Sequence, residues 1–113
     1  MRIIVSPAFA RAARKLLTAD EREAMEADLV ARPDAWPVIP GSGGARKARI
    51  ARGGQGKRGG GRVIYFHMPR PGVLMLLLLY AKNDMEKLSE VDLKAIRAGI
   101  VEAREAFGDD TAR

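Results

Sequence analysis

The sequence contains no cysteine, which removes disulfides, thiolate metal ligands and cysteine nucleophiles together and fits a reducing compartment. It has a single histidine, His67, so no histidine pair is available for acid and base catalysis. Long apolar runs are missing too. The longest, Val73 to Ala81, is far short of the roughly 18 residues needed to cross a bilayer. Met1 to Pro7 shows none of the charged stretch, apolar stretch and small-residue cleavage site of a signal peptide, and reads as a strand. A soluble, cytoplasmic chain without membrane contact is expected. The last absence is local: residues 45–82 carry no carboxylate at all.

What is present fits one globular domain, 1–113, since 113 residues with 47% apolar side chains match the usual size and composition of a folded unit. The net charge is +6. Residues 1–44 hold six basic and six acidic side chains, residues 45–82 nine basic and none acidic, and residues 83–113 five basic and eight acidic. The whole excess therefore sits in the central block, as expected of a surface that neutralises phosphates. A solvated basic face is the plainer reading of the same block.

Arg2 to Val5 is a β-branched strand. Ser6 caps a helix with Pro7 at its first position and an apolar face of Phe9, Ala12, Ala13, Leu16 and Leu17. Thr18 and Glu21 match a capping box for a second helix, which Pro33 ends near Arg32. Pro33, Pro37, Pro40 and the glycines at 41, 43 and 44 make the next stretch a loop without regular structure. Trp36 within it reads as an anchor on the core rather than a platform for a base. Ala45 to Arg52 alternates, so Lys47 and Arg49 share one face while Ala48 and Ile50 share the other. A glycine-rich turn leads to a second strand, Arg62 to Met68. Val73 to Tyr80 is apolar throughout and reads as a central strand covered on both faces. Ser89 and Asp92 cap a final helix, with Leu93, Ile96, Ile100 and Phe107 inward and Gly108 at its end. The order is strand, two-helix hairpin, three antiparallel strands, C-terminal helix, which is α+β.

Gly54, Gly56 and Gly59 satisfy GxGxxG, yet a strand follows where a dinucleotide fold needs a helix N-terminus. A P-loop fails because Arg58 stands after Lys57, where Ser or Thr must hold magnesium. Glu21, Glu23, Glu26 and Asp28 read as a solvated helix face, and no carboxylate pair demands a metal. No cofactor is expected. His67 reads as a strand-end side chain, able at most to carry one proton. The remaining polar groups gather at strand ends: Arg46, Lys47, Arg49, Arg52, Lys57, Arg62, Tyr65, Tyr80, Lys82 and Asn83. RNA brings its own nucleophile, the 2′-hydroxyl, so cleavage needs alignment, charge stabilisation at phosphorus and proton transfer. A lysine among like charges moves towards use as a base, while arginine suits a bidentate clamp on phosphate. A non-catalytic nucleic-acid binder would carry the same residues.

In the segments GSGGARKARIARGGQGKRGGGRVIYF, LMLLLLYAKND and LSEVDLK the chain resembles the RelE/ParE superfamily of bacterial toxins, most of all its HigB-like branch, and the resemblance spans nearly the whole chain. It implies a RelE-like, microbial-RNase-type fold and an endoribonuclease that cuts mRNA in the ribosomal 30S A site without metal. It also implies a cognate antitoxin, often of helix-turn-helix type, with which the toxin represses its own operon, meeting operator DNA only through the antitoxin. By the same resemblance Lys47 and Arg49 match the second-strand base and phosphate stabiliser, Arg62 the arginine that stabilises the transition state, and Lys82 with Asn83 the pair that assists the leaving group. Beside these matches, Arg46, Arg52, Lys57 and Arg58 of the basic block are candidate RNA contacts, and Tyr65 and Tyr80 are candidates for the stacking and general-acid roles, each also readable as a packing residue. Asn83 departs from the arginine of the best-known branch, and Leu88 stands near that branch's base-stacking tyrosine. Two other readings are a ParE-like toxin that inhibits gyrase by protein contact, and an inert nucleic-acid-binding relative. Retention of Lys47, Arg49, Arg62 and Lys82 favours the nuclease over the gyrase inhibitor.

Overall fold

The computed structural model describes residues 1–54, 60–82 and 88–108. Strand β1 (Arg2–Val5) leads into helices α1 (Pro7–Leu16) and α2 (Ala19–Ala31). Then come strands β2 (Arg46–Ile50), β3 (Gly61–Met68) and β4 (Val73–Ala81), and helix α3 (Glu90–Phe107). Each helix begins where a side-chain oxygen can take up an orphan backbone N–H. Ser6 accepts from Phe9, and Thr18 and Ser89 each complete a reciprocal capping box. Gly108, at φ +66°, closes α3 in the left-handed region.

The four strands form one sheet in the order β1-β4-β3-β2, with β1 parallel to β4 and the other pairings antiparallel. This is the expected α+β arrangement, and it puts β4 inside the sheet, covered on both sides. On one face Phe9, Ala13, Met25 and Leu29 of the helix hairpin pack on Ala48, Val63, Tyr65, Leu74, Leu76 and Leu79. On the other, Ile96, Ile100 and Ala103 of α3 pack on Ile64, Phe66, Met68, Val73, Leu77 and Tyr80. Among the described residues no helix is long and apolar enough to cross a membrane.

The run of leucines in β4 hides an irregularity. Ile64 pairs with Leu78 and Tyr65 with Leu76, so Leu77 is an extra residue in the ladder, a bulge. The inserted residue takes its place in the α3-side core beside Leu78. It thereby shifts the alternation, and Tyr80 joins the α3 side although Leu74 and Leu76 face the hairpin. Ser6 answers the bulge: its hydroxyl donates to the Leu77 carbonyl at 2.7 Å while its N–H donates to Leu76 at 3.0 Å.

Candidate functional site

Strand β2 is an edge strand, and its alternation decides which charges go where. Ala48 and Ile50 are buried against the helix hairpin, so Lys47 and Arg49 point to the α3 side, as the sequence suggests. In the β2–β3 ladder Arg49 is directly opposite Arg62, and Arg62 is in turn opposite Tyr80. Residues paired this way have Cα atoms about 4.5 to 5.5 Å apart. Lys47 precedes Arg49 by two positions on the same strand, roughly 6.8 Å away. All three cations line a single hollow of about 700 Å³. Like charges directly opposite in a sheet repel, and an anion held between Arg49 and Arg62 would relieve that repulsion.

The rest of the hollow is apolar. One wall is the strap Trp36, Pro37, Val38, Ile39 and Pro40, and the other is Leu88 with Leu93 at the start of α3. The strap departs from an unstructured loop because Val38 makes a bridge to Arg46, Ile39 N–H donates to Ala45 at 2.8 Å, and Lys47 N–H donates to Pro37 at 3.3 Å. Buried Ser42 closes the turn behind it, its hydroxyl donating to the Ile39 carbonyl at 2.6 Å and accepting from Ala45 N–H at 3.0 Å. Arg97 of α3 donates to the Gly41 carbonyl. Trp36 is half-buried against the hairpin-side core, and the Arg49 guanidinium carbon lies 5.6 Å from its ring centroid. The indole is thus both the core anchor expected and a support for one of the site's cations.

Several expected RNA contacts lie elsewhere. Tyr65 is fully buried on the hairpin side and donates its hydroxyl to the Pro33 carbonyl at 2.7 Å. Arg46 donates to the Trp36 carbonyl at 2.6 Å and the Asp34 carbonyl at 3.2 Å, and Arg52 donates to Leu16 at 3.3 Å. Strand parity explains the correction: Arg46 and Arg52 share the even positions of Ala48 and Ile50, and Tyr65 shares the side of Val63. These three groups hold the scaffold instead of facing the hollow. Tyr80 lies opposite Arg62 but is buried under α3, and its hydroxyl has no hydrogen-bond partner among the described residues. Burial raises its pKa, with Arg62 acting to lower it and Asp92 to raise it. Lys82 is exposed just beyond β4 and is absent from the lining of the hollow. Lys57, Arg58 and Asn83, like Gly56 and Gly59 of the GxGxxG pattern, lie outside the described residues.

The sequence reading missed the apolar walls and a second duty of Glu21. That carboxylate completes the Thr18 capping box through one oxygen and accepts from Gly53 N–H at 2.6 Å through the other. The hydrogen bonds from Thr18 and Gly53 hold its pKa below the ordinary value.

Over residues 1–107 the chain matches the family model described as the RelE toxin of the RelE / RelB toxin-antitoxin system. It is the toxin component of a toxin-antitoxin pair, a role that brings with it a cognate antitoxin. The chain belongs to the RelE toxin family.

Proposed function

We propose that this toxin is a ribosome-dependent endoribonuclease of the HigB-like branch, acting in the cytoplasm as one domain on mRNA in the 30S A site. The observation that carries the reading is the convergence of Lys47, Arg49 and Arg62 on one hollow. Lys47 takes the proton from the 2′-hydroxyl. Arg49 and Arg62 clamp the phosphate as its charge grows, the task for which paired guanidinium groups are suited. The 2′-oxygen bonds to phosphorus, the bond to the 5′-oxygen breaks, and the Lys82 ammonium gives a proton to the leaving oxygen, with Asn83 assisting by hydrogen bonding. The products are a 2′,3′-cyclic phosphate and a free 5′-hydroxyl. This route draws its nucleophile from the substrate and its charge from side chains, so it asks for no metal. With its antitoxin, of helix-turn-helix type, the toxin also represses its own operon.

The test combines purified toxin, translating ribosomes and a defined mRNA, with 5′ ends mapped with and without ribosomes. Cuts that need the ribosome are expected. Absence of cutting, together with DNA breaks when gyrase is present, would replace this reading with the ParE-like one. Absence of both would leave a binder without activity.

A further inference from the structure

Tyr80 stands beside the proposed site and has no part in the reaction described above. Its side chain is only 7% exposed, yet its hydroxyl has no hydrogen-bond partner among the described residues. A buried hydroxyl left in that state costs stability, and a phenylalanine would fill the same space without the cost. We propose that Tyr80 is a positioning residue for Arg62: in the loaded site its hydroxyl oxygen accepts an N–H from the guanidinium and holds that fork square to the phosphate. This rests on the nuclease reading and adds to it a group that touches no substrate atom.

The sheet brings the two side chains together. Arg49, Arg62 and Tyr80 form one row across β2, β3 and β4, and residues opposite each other in this way have Cβ atoms about 4.5 to 5.5 Å apart. Arg62 lines the hollow and Tyr80 packs in the α3-side core, so both rise from the same face and their tips can meet. Burial raises the pKa of the phenol and the Arg62 charge works against that rise, which puts the guanidinium within Coulomb range of the hydroxyl. The shape of the fork supplies the rest. A guanidinium carries five N–H donors in one plane. A two-pronged contact with a phosphate between Arg49 and Arg62 occupies the edge turned to β2, and the plane then directs other donors towards β4, where the Tyr80 oxygen lies. A guanidinium held at both edges stays in place as charge grows on the phosphate.

The test uses the full chain and Tyr80→Phe, which deletes the oxygen and keeps the ring. Its urea midpoint is expected to equal or exceed the wild-type value, since the lost hydroxyl made no bond. Its single-turnover cutting rate on ribosomes is expected to fall about 10- to 100-fold, the size of one hydrogen bond to a charged group, at an unchanged half-saturating ribosome concentration. In the Arg62→Ala background the same substitution should have no further effect, because the hydroxyl acts only through the guanidinium. Unchanged cutting by Tyr80→Phe overturns the proposal. So does a full further loss in the Arg62→Ala background, which would make the hydroxyl an independent group such as a proton donor. A second measurement reads the contact without any cutting. The chain has two tyrosines, so isotope labelling of the ring carbon that bears the hydroxyl gives two resonances, and Tyr80→Phe identifies one of them. A saturating 2′-O-methyl trinucleotide, which has no nucleophile, is expected to shift the Tyr80 resonance in the wild-type chain and not in Arg62→Ala. No shift in the wild-type chain, whether or not the strand binds, overturns the proposal, as does a shift that persists in Arg62→Ala. Ribosomal cutting without the shift removes the contact and keeps the nuclease. A shift that needs Arg62, without any cutting, removes the nuclease and keeps the contact.

Discussion

Arg62 occupies the position where the site's demands meet. It is opposite Arg49 on one side and Tyr80 on the other, and its Nη1 donates to the Gly61 carbonyl at 3.1 Å, which fixes the guanidinium near the strand. Arg62→Ala should leave the circular dichroism spectrum intact and reduce ribosome-dependent cutting by about 10² to 10³, the loss seen when one donor to a developing oxyanion is removed. Arg62→Lys should recover only part of it, since an ammonium lacks the two-pronged geometry. Near-normal cleavage by the alanine variant would remove the transition-state role. The two tyrosines give a second residue-scale expectation. Both are held above the ordinary phenol value of 10.0, chiefly by burial. The unfolded chain therefore loses these protons first, so their share of stability is intact below pH 10 and falls as pH rises towards the folded-state values. A titration followed by phenolate absorbance should find no tyrosine ionising at the ordinary value in the folded protein, and denaturant midpoints should drop above about pH 10.

At the scale of elements, the β2–β3 pair sets the Arg49–Arg62 register, and Gly60 is what lets the pair close. A Cβ there would meet the Ile50 carbonyl oxygen and lie 2.6 Å from the Arg52 backbone nitrogen. Gly60→Ala should cost about 1 to 3 kcal/mol, the usual range for overpacking, read as a lower urea midpoint. An unchanged midpoint would mean that the two strands are not held this closely. The same elements show what could be read in advance. The alternation of β2 was legible because one of its faces is buried and the other is not. Arg46 and Arg52 were nevertheless grouped with Lys47 and Arg49, since counting charges ignores parity; the alternation itself contained the correction. The bulge at Leu77 was not legible, because a strand apolar on both faces has no period to break. Nor was the Glu21 contact to Gly53, which joins residues 32 positions apart.

For the whole molecule, the central basic block divides between two sides of the sheet. Among its described residues only Lys47, Arg49 and Arg62 line the hollow, whereas Arg46 and Arg52 are spent on backbone carbonyls of the scaffold. Single-stranded binding loses about 0.7 in the slope of log K against log salt for each phosphate neutralised. An uncleavable 2′-O-methyl RNA of about twelve nucleotides, long enough to offer a phosphate to each cation, should therefore show a slope of about −2, as three contacts give, and not the roughly −6 that all nine cations of residues 45–82 would give. Affinity measured across a salt series decides between them, and a slope near −6 would show that the sheet's division does not govern binding.

The strap that walls the hollow is fastened largely from behind. Tyr65 holds Pro33, Arg46 holds Trp36, and His67 Nδ1 lies 3.0 Å from Asp34 Oδ1, all from the hairpin side of the sheet, away from Lys47, Arg49 and Arg62. A change at the rear of the molecule is thus also a change in the shape of its mouth. Tyr65→Phe, which deletes one oxygen atom and no charge, is a way to loosen the grip on a nucleotide without altering any group that touches it.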